Sequence, residues 1–174
     1  MSDLIISVFR NQAAAFAAGE QLAALQQAAG TEPEDIVVVS RNSAGRIAIN
    51  QSIDLSTGAP LGGGGWGVLI GLMFLDGRDP RSESQGLAAQ LVAAGLDRTF
   101  LADVVESLMK GGAAVGMRVR LLGKERVMAK LDSLQGSPRI HWTRLDARTE
   151  EALTDMIGQI PQAALGRPRE LPAD

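Results

Sequence analysis

The chain lacks cysteine and tyrosine, has a single histidine, and draws only 3% of its 174 residues from the aromatic types. The absence of cysteine excludes disulfides, thiolate nucleophiles and cysteine-ligated metal centres within the chain. One histidine alone cannot build a zinc site, so we predict no metal. Because large aromatic residues are so few, Ala, Leu, Val and Ile must fill the core, a composition that favours helices packed on a sheet.

Excess positive charge is also lacking, since charged residues make up 21% of the chain and the formal net charge is −3. Nucleic-acid binding relies on a basic surface, so we predict no nucleic-acid partner. The N-terminus carries Asp3 where a signal peptide needs positive charge, and the apolar run Leu4–Val8 is far shorter than a signal core. These features predict a cytoplasmic protein.

Hydrophobic periodicity and turn residues predict an alternation of strands and helices around one apolar insertion. The predicted elements are strand Leu4–Phe9, helix Asn11–Ala29, strands Asp35–Ser40 and Arg46–Asp54, helices Gln85–Ala94 and Asp97–Met109, strand Ala113–Leu122, helix Glu125–Leu134, strand Arg139–Leu145 and helix Thr149–Ile160, with Asn11, Asp97 and Thr149 as N-caps.

Without the insertion at 56–95, this order approaches a β-α-β-β-α-β unit. We therefore predict one α+β domain over 1–160, with a ferredoxin-like antiparallel sheet, a glycine-rich helical insertion, an extra C-terminal helix and a flexible tail at 161–174. Helices on one face of such a sheet leave the other face uncovered, and a partner subunit commonly supplies the cover.

The insertion opens with Gly58–Leu75, a segment almost free of polar side chains. Gly63, Gly67 and Gly71 recur every four residues, so a helix here presents one smooth stripe that a second backbone can approach closely. Burying each large apolar side chain contributes about 1.5–3 kcal/mol, which offsets about 1 kcal/mol per helical glycine. We therefore expect the segment to pack against protein, in a second copy of this chain. The predicted interface residues are Gly63, Trp66, Gly67, Leu69, Ile70, Gly71 and Phe74.

Lipid is the other environment that such a segment could enter. Leu61–Leu75 has about fifteen residues, whereas crossing a bilayer takes about 20. The return segment Asp76–Ala94 contains Arg78, Asp79, Arg81 and Glu83 near its start, which disfavours a two-span hairpin. Shallow contact with a membrane surface stays open as an alternative, because an interfacial segment needs less length.

Several short motifs are shared with one known group of proteins. They are an opening apolar strand, Glu34–Val39, Ile53–Leu55, the run Gly65–Leu75, Gly95–Asp97 with Phe100-Leu101, and Gly111–Ala114. Along most of Leu4–Leu145 the chain resembles bacterial proteins labelled "predicted membrane protein" of domain of unknown function 1269. The resemblance implies no established activity, and the membrane label rests on a pair of glycine-rich apolar helices, of which the second is short and charged here.

Few polar patterns indicate chemistry. Gly62–Gly67 has the G-x-G-x-x-G spacing but neither the strand directly before it nor the later acid of a dinucleotide site, so we predict no cofactor. His141 lies in a strand pattern, where a general base is conceivable and a structural or surface histidine is more common. Asp103 and Glu106, three apart on a helix, could form an acid–base pair or bind a hard cation, although a solvated helix face is the commoner origin of such a pair.

Two arginines lie on one predicted strand. Arg118 and Arg120 are two residues apart and so face the same side, with Arg139 as a potential neighbour. They could hold a small anion, although a solvated face or ion pairs between subunits are commoner. We therefore predict a non-enzymatic, oligomeric structural or stress-associated protein that self-assembles through the glycine-rich segment. The alternatives are a sheet module that binds an anion at Arg118 and Arg120, and a peripheral membrane protein.

Self-assembly predicts a mass above that of one chain when the purified protein is measured by multi-angle light scattering. Replacing Gly67 and Gly71 by Leu should lower this mass, because the larger side chains prevent close approach of a second backbone. A single-chain mass at every concentration would contradict self-assembly.

Overall fold

The computed structural model describes residues 2–30, 36–51, 65–76, 85–120, 122–134 and 136–158. Within these residues the chain forms five strands and six helices. In chain order they are β1 Ser2–Phe9, α1 Gln12–Ala29, β2 Ile36–Arg41, β3 Ile47–Gln51, α2 Gly65–Asp76, α3 Gln85–Ala94, α4 Arg98–Ser107, β4 Ala113–Val119, α5 Lys124–Asp132, β5 Arg139–Leu145 and α6 Ala147–Gly158. The predicted tail 161–174 and Gly63 lie outside the described residues.

The five strands form one antiparallel sheet in the order β3-β2-β4-β1-β5. β1 lies between β4 and β5, with Leu4 opposite Arg118 of β4 and Ile6 opposite His141 of β5. β3 and β5 are the two edge strands. The predicted combination of an antiparallel sheet and helices is thereby confirmed.

Side-chain hydrogen bonds fix the beginnings of three helices. Asn11 accepts a hydrogen bond from the backbone N–H of Ala14 and caps α1, and Asp97 Oδ1 accepts one from Phe100 at 2.8 Å and caps α4, both as predicted. The predicted cap at Thr149 was wrong. Asp146 Oδ1 accepts from the N–H of Thr149 at 2.7 Å, so α6 begins earlier than the sequence indicated.

Helices cover both faces of the sheet. The side chains of β1 alternate, so that Ile6 faces a core built with α2, α3, α4 and α6, whereas Ile5 faces a second core built with α1 and α5. The prediction that helices lie on one face only was therefore wrong. The physical reason is that the apolar insertion folds back as α2 onto β2, β3 and β4, where a partner subunit had been expected.

Two glycines allow α2 to lie close to the sheet. A Cβ atom on Gly71 of α2 would lie 2.6 Å from Cδ1 of Ile49 in β3, and one on Gly116 of β4 would lie 2.6 Å from Cγ2 of Ile70 in α2. Each glycine thus leaves the space that an isoleucine of the facing element occupies. The close approach predicted for the glycine stripe occurs, at Gly71, within a single chain.

Gly71→Ala should destabilise the protein. The added methyl group would meet three carbon atoms of Ile49 at less than 3.0 Å. An overpacking cost of about 1–3 kcal/mol then exceeds the gain of about 1 kcal/mol in helix propensity. Urea unfolding should show a lower free energy of unfolding.

The same substitution in an Ile49→Ala background should become stabilising, because only the gain in helix propensity remains there. Gly19→Ala in α1 is the matched control, since its Cβ would come no closer than 3.3 Å to Val38 and should cost less. An equal loss from Gly71→Ala in both backgrounds would show that contact with Ile49 is not the cause.

Candidate functional site

A polar cleft lies between α4 and the edge strand β5. It is open to solvent and has a volume of about 450 Å³, within the range of about 300–1,000 Å³ typical of small-molecule sites. Its walls carry Asp103, Glu106 and Ser107 from α4, and Arg139 and His141 from β5. Both signs of charge and two neutral hydrogen-bonding groups therefore meet around one cavity.

The local sequence explains why these side chains converge. On α4, the buried residues Phe100, Leu101, Val104 and Val105 form the stripe that faces the core, which leaves the polar positions on the flank of the helix. On β5, Arg139 and His141 are two residues apart and so point to the same face of the sheet. His141 is paired with Ile6, whose side chain belongs to the core that α4 also contacts.

Ser107 and His141 form the central hydrogen bond of the cleft. The hydroxyl group of Ser107 donates to the backbone oxygen of Val104 at 2.8 Å, and Nε2 of His141 lies 3.2 Å from the same hydroxyl oxygen. Because the hydroxyl hydrogen of Ser107 is donated to the carbonyl of Val104, we assign the ring hydrogen of the neutral imidazole to Nε2. Nε2 then donates a hydrogen bond to the oxygen of Ser107. In a nucleophile–base pair the hydroxyl donates to the imidazole instead, so with this assignment Ser107 orients the ring of His141.

The charge state of His141 follows from its surroundings. Partial burial lowers the pKa of His141 below its ordinary value of 6.5, and the positive charge of Arg139 lowers this pKa further. Asp103 opposes both effects by favouring the imidazolium form. At neutral pH the cleft therefore holds a neutral imidazole between charged side chains.

A second cavity of about 560 Å³ adjoins the first. The two cavities share Glu106, Ser107 and Arg139, and together we call them the α4–β5 cleft. The second cavity adds Arg10, Lys110, Ser137, Met109, Val8 and Phe9 to the walls. Its charge is mainly positive, in contrast to the end of the cleft that contains Asp103.

Arg118 and Arg120, which were predicted to bind an anion, do not line the α4–β5 cleft. Nη1 of Arg118 lies 2.9 Å from Oε1 of Glu150, and the guanidinium group lies 4.4 Å from the ring centre of Trp66. The side chain of Arg118 is only 17% exposed, so an anion would have to compete with a carboxylate already in contact. Arg120 follows the end of β4 and is exposed.

Arg139 does not neighbour Arg118, and that part of the prediction was wrong. On β1, Leu4 lies opposite Arg118 and Val8 lies opposite Arg139. Four residues of strand separate these two positions by about 13 Å. Arg139 belongs instead to the α4–β5 cleft.

Most residues predicted to form a subunit interface lie in the core of the chain. Trp66, Leu69, Ile70, Gly71 and Phe74 are all buried against the chain's own sheet or helices. Gly67 lies within α2, and Gly63 is outside the described residues. Self-association is not tested by a single chain and stays a prediction. Contact through these buried side chains would require α2 to leave the sheet, so replacing Gly71 by Leu would disturb the core as well as any interface.

Sequence inspection found some members of the cleft and missed others. Asp103, Glu106 and His141 were recognised as candidates, but Ser107 was not. The helical spacing between Asp103 and Ser107, four residues apart, was the available signal. Nothing in the sequence pattern placed α4 beside β5, so the cleft as a unit could not be inferred.

No group of three or more His, Asp or Glu side chains in the described part of the chain is placed to hold a metal ion. The hard-cation alternative for Asp103 and Glu106 therefore has no third such ligand among those residues. Helices long and apolar enough to cross a membrane are likewise not found in the described ranges.

The fold and cleft together define a mixed α/β protein with a five-stranded antiparallel sheet and a polar site beside an edge strand. A family model described as "Protein of unknown function (DUF1269)" matches residues 60–158. The chain belongs to this family, which confirms the family resemblance within the matched range but neither a bacterial source nor the membrane label. No curated protein and no solved structure matches the chain.

The pKa of His141 should be measurable directly, because this is the only histidine in the sequence. Titration of its imidazole signals by proton NMR should give a pKa below 6.5. Arg139→Gln should raise the pKa by removing a positive charge, and Asp103→Asn should lower it further. Since the unfolded chain binds this proton more readily, the contribution of His141 to stability should be complete above pH 6.5 and decrease as the pH falls below it.

Arg126→Gln serves as the matched control for this titration. Arg126 is an exposed residue of α5, which packs on the opposite face of the sheet, so its removal should leave the pKa of His141 unchanged. A lower pKa of His141 in Arg139→Gln, a higher one in Asp103→Asn, or shifts of the same sign in both variants would contradict the electrostatic account.

Proposed function

We propose that the protein is a non-enzymatic binding module that holds a small polar ligand in the α4–β5 cleft. The observation that carries this proposal is the convergence of five polar side chains from two elements on one cavity of about 450 Å³. Small-molecule sites combine a concave surface with a few placed polar groups, and both are present here. The charged residues Asp103, Glu106 and Arg139 are exposed, so a ligand can reach them from solvent.

Binding is better supported than catalysis by the geometry around Ser107. Its hydroxyl oxygen lies 2.8 Å from the carbonyl oxygen of Val104, and with the hydroxyl hydrogen assigned to that carbonyl the oxygen accepts from His141. Partial burial and the positive charge of Arg139 lower the pKa of His141, which favours the neutral imidazole at pH 7. A neutral imidazole held by a fixed hydrogen bond provides a directional contact for a ligand.

The other predicted functions receive less support. An anion at Arg118 would displace Glu150 from a contact of 2.9 Å. Self-assembly and membrane contact through Trp66–Leu75 both need apolar side chains on the surface, whereas Trp66 and Phe74 are buried in the core. The ligand-binding alternative therefore moves from Arg118 and Arg120 to the α4–β5 cleft.

We also propose that the fold is a ferredoxin-like unit with an insertion. Omitting β3 and α2 to α4 leaves the chain order β1-α1-β2-β4-α5-β5, and the corresponding sheet order β5-β1-β4-β2 supports the assignment. α1 and α5 pack on one face, as such a unit requires. The insertion then begins at β3, earlier than position 56, and β4 rather than Arg46–Asp54 is the third strand of the unit.

A fragment screen by proton–nitrogen correlation NMR should find polar binders whose amide shifts cluster on α4 and β5. Arg139→Gln and Glu106→Gln should each weaken such binders by roughly tenfold or more, because a hydrogen bond to a charged group contributes about 1.5–3 kcal/mol. Arg126→Gln, on the opposite face, should leave the affinities unchanged. Binders whose shifts cluster elsewhere, or the absence of binders at the cleft, would contradict the proposed function.

A further inference from the structure

Each cavity of the α4–β5 cleft has ionisable residues that the other cavity lacks. Asp103 and His141 line the first cavity alone, whereas Arg10 and Lys110 line the second alone. Glu106 and Arg139 lie on the wall that the cavities share. The cleft thus changes from mainly acidic at one end to mainly basic at the other.

The helix geometry sets a length scale for this change of charge. From Asp103 to Ser107, where α4 ends, the helix rises by about 6 Å, and Lys110 lies three residues further along the chain. A ligand that touches both ends needs a spacer of at least roughly five single bonds, since an extended backbone gains about 3.3–3.6 Å per three bonds.

Apolar contacts lie beside the basic end. Met109 is 63% exposed there, and Val8 and Phe9 contribute to the same cavity wall. An exposed methionine is a flexible apolar surface suited to an aliphatic chain. Ser137, on the same wall, is the one non-glycine residue of the described ranges with a positive φ, at 44°. Strained residues of this kind cluster at ligand sites.

We propose that the α4–β5 cleft binds an ω-amino carboxylate, a zwitterion whose ammonium and carboxylate groups are joined by a short aliphatic chain. The ammonium group lies between Asp103 and Glu106, and the carboxylate is held by Arg139 and Lys110. The aliphatic chain passes Ser107 and contacts Met109. This inference rests on the proposed function, because it assigns the ligand class of the same cleft.

The charge pattern favours this class over singly charged ligands. A carboxylate alone would compete with Asp103 and Glu106 for Arg139, the one cation among the described residues that line the first cavity. An ammonium ion alone would enter beside Arg139 and leave the basic end of the cleft without a counter-charge. Only a ligand with both charges, separated along the cleft, is attracted at each end.

The test uses 6-aminohexanoate as the probe, with hexanoate and hexylammonium as matched singly charged controls. Affinities for the full chain are measured by proton–nitrogen correlation NMR, which also reports where each probe binds. We expect 6-aminohexanoate to bind at the cleft at least tenfold more tightly than either control.

Two exposed residues allow each end to be tested without disturbing the core. Asp103→Asn should weaken 6-aminohexanoate at least fivefold without weakening hexanoate, and Arg139→Gln should weaken 6-aminohexanoate at least fivefold without weakening hexylammonium. Arg126→Gln should alter none of these affinities.

Failure of the inference and failure of the proposed function give different results. If a singly charged probe binds the cleft as tightly as 6-aminohexanoate, the zwitterion assignment is overturned and the cleft remains a ligand site. If neither the three probes nor any screened fragment shifts the amides of α4 and β5, both are overturned.

Discussion

The packing of α2 against the sheet is the contact on which the rest of the structure depends. Ile70 of α2 fits against Gly116 of β4, and Ile49 of β3 fits against Gly71 of α2. A side chain larger than hydrogen at either glycine would hold the helix away from the strands, because the nearest isoleucine carbon would lie only 2.6 Å from its Cβ. The lack of a side chain at Gly71 and Gly116 therefore determines how closely this layer of helices approaches the sheet.

The position of α4, and with it the candidate site, follows from that layer. α2 contacts α3, α4 and α6, so all four helices share one core above the sheet. The far end of α4 is fixed independently, since Nη1 of Arg41 donates to the backbone oxygen of Leu108 at 3.2 Å. The backbone of Gly112 also lies close to β1, since a Cβ atom on Gly112 would be 2.7 Å from the backbone oxygen of Phe9. These contacts hold Ser107 and Lys110 beside β1 and β5.

Local features of the fold could be predicted because their causes lie within a few residues. The caps at Asn11 and Asp97, the β-branched strand β2 and the family resemblance all belong to this group. The partner of the glycine-rich segment could not be predicted in the same way. Apolar residues on all sides of a helix indicate that it is buried, but they do not indicate whether its own sheet or a second chain covers it.

The candidate site was only partly predictable for a related reason. Asp103, Glu106 and His141 could be selected by residue type and spacing, yet α4 and β5 are separated in sequence by β4 and α5. Whether they meet depends on the strand order, which places β5 rather than β4 at the edge beside β1. Predicting the wrong neighbour for Arg139 was a consequence of not knowing that order.

The contrast between Arg118 and Arg139 shows how burial decides which cation can serve a ligand. Both lie on strands that pair with β1, and both are equally plausible anion contacts in the sequence. Arg118 is largely buried and in contact with Glu150 and Trp66, so a ligand would have to break a charge-assisted hydrogen bond and leave a carboxylate without that partner. Arg139 is exposed at an edge strand, beside a cavity large enough for a small molecule. A ligand there displaces water from the guanidinium group, and the energetic cost of entry is correspondingly lower.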